Sequence, residues 1–142
     1  MPANRKPITG ACQCGAVTFE TKGDAAMVIQ CHCLNCQKSS GTGHVPIAVF
    51  PEVEVVIQGK TKSNHYRADS GGDVSSIFCP ECGSSMFGRT TSFPGLMAVR
   101  LGAMDDSSAL QPQMDVYMKR LRPWDHDLKN APSYETMPPM PK

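Results

Sequence analysis

Seven cysteines, arranged in three groups, are the residues of this sequence best suited to chemistry. In chain order they are Cys12 and Cys14; Cys31, Cys33 and Cys36; and Cys79 and Cys82. The last pair encloses a proline and precedes a glycine, a composition that lets backbone N–H groups turn towards two thiolates. Cysteines at such spacings are typical ligands of zinc.

The seven thiols divide into a site of four and a site of three. Cys31, Cys33 and Cys36 lie within six residues and can converge on one compact site. The other two pairs, Cys12 with Cys14 and Cys79 with Cys82, would then join from distant parts of the chain. A zinc site with four protein ligands is closed and structural, whereas three protein ligands leave a position open. The spacing therefore predicts two zinc ions per chain and leaves the role of the second ion open.

Other interpretations of the same cysteines remain open. Cys33 and Cys36 could form a redox pair, although the flanking βαβ pattern of such pairs is absent. The spacing is also compatible with an iron–sulfur cluster. Finally, all the cysteines could be structural, with Cys31 or Cys36 as a spare thiol.

Four charged or titratable residues lie near these groups in sequence. His32 would point away from its neighbouring cysteines in an extended segment, which favours a packed histidine over a ligand. His44 could be a general base, although a solvated histidine at a strand end is commoner. Lys38 and Arg89 could each bind a substrate carboxylate, and a solvated surface charge is the simpler interpretation of both.

Short β-strands are the elements predicted to position these side chains. Twelve glycines and twelve prolines divide the chain, and no long window has a helical repeat of apolar residues. Strands are predicted within residues 17–20, 26–31, 45–49, 53–58, 63–68, 74–78, 96–101 and 114–118. Pro46 indicates an edge strand or a bulge. One short helix is predicted after Cys36, over residues 37–40, with Gly41 as its C-cap.

Length and composition indicate one domain in a reducing compartment. The 142 residues divide into an N-terminal tail (1–7), a single zinc-binding domain (8–130) and a proline-rich tail (131–142). A net charge of +1 gives no overall field for nucleic acid or an anionic membrane. Because we find no secretory or membrane-spanning apolar run, we expect a cytoplasmic protein whose cysteines bind metal.

Three blocks of this sequence together resemble the glutathione-dependent formaldehyde-activating enzyme family. They are Gly-Ala-Cys-Gln-Cys-Gly-Ala-Val from Gly10, Cys-His-Cys-Leu-Asn-Cys-Gln-Lys-Ser-Ser-Gly from Cys31, and Phe-Cys-Pro-Glu-Cys-Gly-Ser-Ser-Met from Phe78. Residues 99–106, 112–117 and 122–124 are also similar. The resemblance covers residues 8–134 and departs from the family at Asp115, where members often carry histidine.

The resemblance implies a mainly β fold, the β-tent zinc fold, built of several short antiparallel sheets with at most one or two short helices. It implies a structural zinc at Cys12, Cys14, Cys79 and Cys82 and a catalytic zinc at Cys31, Cys33 and Cys36. It also implies a carbon–sulfur lyase, similar to S-(hydroxymethyl)glutathione synthase, whose small-molecule partners are a thiol such as glutathione and an aldehyde such as formaldehyde. One branch of the family is not enzymatic, so a zinc-stabilised binding module is the alternative.

Overall fold

The computed structural model describes residues 6–139, and its strands form two sheets. The smaller sheet contains β1 (Ile8–Ala11), β2 (Thr18–Thr21) and β5 (Val55–Gln58), in the order β1-β2-β5. The larger sheet contains β3 (Met27–Cys31), β4 (Val45–Pro51), β6 (Lys62–Arg67), β7 (Asp73–Phe78), β8 (Ser85–Thr90), β9 (Leu96–Arg100) and β10 (Met114–Val116). Its order is β10-β3-β4-β9-β8-β7-β6.

Nearly all neighbouring strands are antiparallel. The exception is β10, which runs parallel to β3 and pairs Val116 with Cys31. Helix α1 (Leu34–Ser40) and three short 3-10 turns, at Glu52–Glu54, Leu101–Ala103 and Met118–Arg120, complete the regular structure of the described residues. The prediction of a mainly β fold of short, mostly antiparallel strands with very little helix is confirmed.

One apolar core joins the two sheets. Phe19 of β2 meets Phe87 of β8 edge-on, with ring centroids 5.3 Å apart. Phe50 of β4 and Val99 of β9 are fully buried beside them. Gly10 of β1 lies so close to the Phe19 ring that a Cβ atom would overlap it. Burial of this size, about 1.5–3 kcal/mol for each large side chain, holds the sheets at a fixed separation.

Alternation along the strands gives the larger sheet a second, outer face, which we define as the face away from this core. Val99 points into the core, so Arg100, the next residue of β9, points to the outer face. Arg100 pairs with Ile47 of β4, and the register of β3 places Cys31 on the same face. Tyr66 of β6 shares this face. It pairs with Val74 of β7, which lies three residues before the core residue Ile77 and therefore points away from the core.

Several predicted boundaries were wrong. Pro46 lies in a central strand rather than an edge strand, which the sheet tolerates because pairing with β9 begins only at Ile47. Helix α1 begins at Leu34, three residues before the predicted start, because Cys33 caps it; its end at Gly41 (φ 73°) is confirmed. The segment 53–58 begins with a 3-10 turn, and the strand predicted over 114–118 ends at Val116, before Tyr117 adopts a left-handed conformation. Strands β1 and β8 were not predicted.

The predicted tails stay predictions. Residues 1–5 and 140–142, which belong to these tails, lie outside the described residues. Between residues 121 and 139 the structure has turns and bends but no helix or strand. No helix within residues 6–139 is both long and apolar enough to span a membrane.

Candidate metal centres and their surroundings

Two knuckles bring four cysteines together beside the core. One knuckle follows β1, and the other connects β7 to β8. The four Sγ atoms of Cys12, Cys14, Cys79 and Cys82 all lie within 4.8 Å of one another. In each knuckle the glycine after the second cysteine, Gly15 or Gly83, has a φ near +80° and donates its N–H to the carbonyl of the first cysteine. Only glycine adopts this turn without strain, which is why each cysteine pair precedes one.

The four-cysteine cluster fits a tetrahedral zinc ion. Its Sγ–Sγ distances of 3.6 Å (Cys12–Cys14) and 3.8 Å (Cys14–Cys79) match the roughly 3.8 Å edge of a tetrahedron with bonds of about 2.3 Å. The N–H of Val17 points at Cys12 Sγ, 3.2 Å away. Hydrogen bonds from Ser84 lower the pKa of Cys82 to about 5. A backbone hydrogen bond from Ala16 favours the thiolate of Cys14, but the neighbouring sulfur of Cys12 and burial outweigh it and raise the pKa of Cys14 to about 12. A cation ligated by all four sulfurs would remove this mutual repulsion, so the donor set fits zinc.

The second cluster lies where β3 passes into α1. Cys31 ends the strand, Cys33 is the N-cap of the helix, and Cys36 lies in its first turn. Their Sγ atoms lie within 4.8 Å of one another, and the N–H of Cys36 donates to Cys33 Sγ over 3.3 Å. Cys31 is buried, and the other two are partly exposed. These three thiols could hold a metal ion while leaving one side of it open to a further ligand.

Because the three sulfurs are crowded together, the pKa values of their thiols shift in different directions. Contacts with Cys31 and Cys36 lower the pKa of Cys33, whereas contacts with Cys31 and Cys33 raise the pKa of Cys36. Like charges this close disfavour each other's ionisation. A cation held by all three sulfurs would remove that repulsion, so the donor set fits zinc here as well.

Arg100 and Tyr66 border this cluster on the outer face. The guanidinium of Arg100 donates from Nη2 to Ser39 Oγ of α1 over 2.7 Å, and it is close enough to Cys36 to interact electrostatically. Burial, reinforced by the nearby charges of Cys36 and Cys33, raises the pKa of Tyr66 to about 12. At neutral pH the cluster therefore faces a cation and a protonated phenol.

Of the two cations named from sequence, Arg89 lies away from the three-cysteine cluster, whereas Lys38 lies on α1, two residues after Cys36. Arg89 of β8 pairs across the sheet with Ser75 and points to the face opposite Arg100 and Tyr66. Its guanidinium forms an ion pair of 2.8 Å with Glu52. Lys38 is exposed in the last turn of α1. The structure therefore brings Arg100, which sequence reasoning missed, to the three-cysteine cluster and does not bring Arg89 there.

Two histidines and two aspartates form a third cluster. His32 is buried, with Nε2 3.0 Å from Asp115 Oδ1 and Nδ1 3.6 Å from Asp125 Oδ2. His44 Nδ1 lies 2.7 Å from that same Asp125 oxygen, and the two imidazole centroids are 5.0 Å apart. His32 is packed, as expected. His44 is not the solvated strand-end histidine that sequence analysis favoured, because Asp125 binds it and the side chain is only 30% exposed.

Gln37 holds the C-terminal segment against α1. This buried side chain donates Nε2 to the carbonyls of His32 and Arg120, at 2.8 and 2.9 Å. Its Oε1 accepts from Arg122 Nε at 2.7 Å. These hydrogen bonds hold the segment after the 3-10 turn at Met118–Arg120 against α1, and this segment places Asp125 beside the histidines.

A cavity of about 440 Å³ opens beside both cysteine clusters. His44, Arg100 and Ser40 line it on the side of the three-cysteine cluster. Gln13 and Ser84 line it on the side of the four-cysteine cluster. The cavity presents a cation and an imidazole to a ligand at the outer face.

Known proteins resemble this chain in sequence and in fold. The family model described as glutathione-dependent formaldehyde-activating enzyme matches residues 7–120. A crystal structure of a Rhodobacter sphaeroides protein has a similar fold, with a TM-score of 0.57 at 18% sequence identity, covering 75% of this chain and 98% of that one. The matched residues include all seven cysteines together with Tyr66 and Arg100. This chain therefore belongs to the glutathione-dependent formaldehyde-activating enzyme family.

Proposed function

We propose that this protein is a zinc-dependent carbon–sulfur lyase-like enzyme that joins or releases a small carbonyl such as formaldehyde and a thiol such as glutathione. Two zinc ions per chain would be held, a structural one by Cys12, Cys14, Cys79 and Cys82 and a catalytic one by Cys31, Cys33 and Cys36. The observation that carries the proposal is the convergence of these last three thiols on the outer face, next to a cation and a phenol. When bound there, zinc would stabilise a substrate thiolate near neutral pH and polarise a carbonyl oxygen.

The neighbouring residues would bind and orient the thiol substrate. Glutathione carries two carboxylates, and the guanidinium of Arg100 offers a planar, charge-assisted contact for one of them. Lys38, exposed on α1, remains a candidate for the other. The protonated Tyr66 can donate a hydrogen bond to an oxygen of the substrate. Holding thiol and carbonyl together would supply most of the rate gain, since proximity can remove a large part of a bimolecular barrier.

A reducing, cytoplasmic location is part of this proposal. All seven cysteines are free thiols in the structure, and both clusters need reduced sulfur to bind metal. Oxidation of either cluster to a disulfide would remove its ligands. The reducing cytoplasm keeps thiols in the required state.

Exchange of formaldehyde between its free and thiol-bound forms tests the proposal. The uncatalysed addition is itself quick, so the exchange rate is the useful measurement, followed by NMR at equilibrium with glutathione. We expect the wild-type protein to accelerate exchange and Cys33→Ser to leave it at the buffer rate. Circular dichroism and zinc content should show that the variant keeps its fold and the four-cysteine metal.

An unaccelerated wild-type reaction would contradict the proposal. If the protein still binds glutathione under those conditions, the zinc-stabilised binding module becomes the better description. If Cys33→Ser accelerates exchange as well as the wild type does, catalysis does not occur at the three-cysteine cluster.

A further inference from the structure

We propose that His32, His44 and Asp125 form a third metal site, separate from both cysteine clusters, that binds a divalent transition-metal ion, most suitably zinc. Three atoms would ligate the ion: the Nδ1 atoms of the two histidines and Oδ2 of Asp125, which lie within 4.8 Å of one another. Without the ion, His44 Nδ1 donates its proton to Asp125 over 2.7 Å, so on metal binding the proton of this neutral imidazole would move to Nε2. Two imidazoles and one carboxylate are a donor set that zinc uses in open sites. The hard cations Ca²⁺ and Mg²⁺ prefer oxygen ligands and fit this set poorly.

The orientation of His32 is the first argument. Its Nε2 lies 3.0 Å from Asp115 Oδ1, so the ring N–H is on Nε2 and donates to that carboxylate. The lone pair of Nδ1 then points into the cluster, where this buried atom has no hydrogen-bond partner. Metal-ligating histidines commonly donate their other ring N–H to a carboxylate in this way. Asp115 therefore acts as the residue that orients a ligand.

Repulsion inside the cluster is the second argument. In that tautomer, His32 Nδ1 and Asp125 Oδ2 face each other at 3.6 Å as two acceptors in a buried setting. With neutral imidazoles, the Asp125 carboxylate gives the cluster a negative charge and the more exposed Asp115 adds a second beside it, so the cluster attracts a divalent cation. A buried acceptor without a partner is costly, so a cation ligated by His32 Nδ1, and also by the Asp125 oxygen that otherwise accepts from His44, would stabilise the arrangement.

The fold holds the ligands in place and leaves a way in. Gly43 presses against Asp125 so closely that a Cβ atom would come within 2.5 Å of its Cγ, which fixes the carboxylate beside His44. The hydrogen bonds of Gln37 fix the backbone of His32 and the segment leading to Asp125. His44 is partly exposed and lines the 440 Å³ cavity, through which an ion can reach the cluster.

A protonated His32 is the competing explanation. An imidazolium would satisfy both aspartates without a metal ion. However, its bond to Asp125 would be 3.6 Å long, beyond the range of a well-formed N–H···O hydrogen bond. The two explanations differ in the number of metal ions that the protein binds.

Metal titration of the full-length protein decides between them. Zn²⁺ and, separately, Co²⁺ would be titrated into the wild type, His44→Ala and Asp125→Asn, with binding measured by equilibrium dialysis and elemental analysis. Asp125→Asn nearly preserves the side-chain shape, so it guards against misfolding of the alanine variant. His65→Ala is the matched control, because this exposed histidine of β6 hydrogen-bonds Ser75 of β7 and belongs to none of the three clusters.

We expect the wild type and His65→Ala to bind one equivalent more than His44→Ala and Asp125→Asn. The additional cobalt should give visible d–d bands without added thiolate charge-transfer absorption, because its ligands are nitrogen and oxygen. Equal stoichiometry in all four proteins, or added thiolate absorption for the last equivalent, would overturn the proposal. The readout is independent of the proposed activity, and Cys33→Ser should retain this site.

Discussion

Replacing Cys79 with serine should yield protein that does not fold, whereas Cys33→Ser should fold nearly normally. Cys79 is fully buried and joins the turn between β7 and β8 to the loop that follows β1. Structural zinc sites contribute about 10–16 kcal/mol of binding free energy, which in small domains is folding free energy. The whole stability of a domain is about 5–15 kcal/mol, so loss of this site should unfold the chain.

The variant Cys14→Ser distinguishes the loss of a metal ligand from the loss of core packing. Unlike Cys79, Cys14 is exposed, so its replacement removes a sulfur ligand without leaving a hole in the core. We expect Cys14→Ser to lose nearly as much soluble yield, folded circular dichroism signal and thermal stability as Cys79→Ser. A stable Cys14→Ser protein, or equal loss of folding in Cys33→Ser, would contradict the division into one structural and one catalytic site.

The two cysteine clusters could be predicted from sequence because residues close together in the chain mark each of them. Cys31, Cys33 and Cys36 are close in the chain, and Gly15 and Gly83 mark the turns that orient the other pairs. Most strands could be predicted for the same reason, since the alternation of apolar residues involves only neighbouring positions in the chain. The start of α1 was missed because its cap is a cysteine, Cys33, rather than the usual serine, threonine, aspartate or asparagine.

The surroundings of the clusters depend on distant pairings. Arg100 reaches the outer face because Val99 faces the core, a distinction that exists only once the sheet register is known. Asp125 reaches His32 and His44 through the bonds of Gln37 to the C-terminal segment. No local pattern marks such partners, which is why Arg89 was named and Arg100 was not, and why the histidine cluster was not predicted.

Arg100→Met should weaken the binding of glutathione far more than Arg89→Met. Methionine keeps much of the side-chain length but removes the cation, and a hydrogen bond to a charged group is worth about 1.5–3 kcal/mol. That loss corresponds to roughly a 10- to 150-fold higher KM for glutathione in the exchange assay. Because the contact is made in the ground state as well as in the transition state, kcat should change little.

Arg89→Met is a matched control for the loss of an arginine, since Arg89 lies on the opposite face, in a partly exposed ion pair with Glu52. It should leave KM within about twofold, because Arg89 points away from the three-cysteine cluster and loss of its ion pair should cost little stability. Arg100→Lys should fall between the wild type and Arg100→Met, since lysine keeps the charge but lacks the planar fork.

A thiol without carboxylates provides the sharper comparison. If Arg100 binds a substrate carboxylate, Arg100→Met and the wild type should exchange formaldehyde with such a thiol at similar rates. If Arg100→Met loses the same fraction of the exchange rate with both thiols, Arg100 stabilises the site through its hydrogen bond to Ser39 and does not bind the substrate carboxylate. An unchanged KM for glutathione in Arg100→Met would assign the carboxylate to another cation, and Lys38 on α1 would then be the next residue to replace.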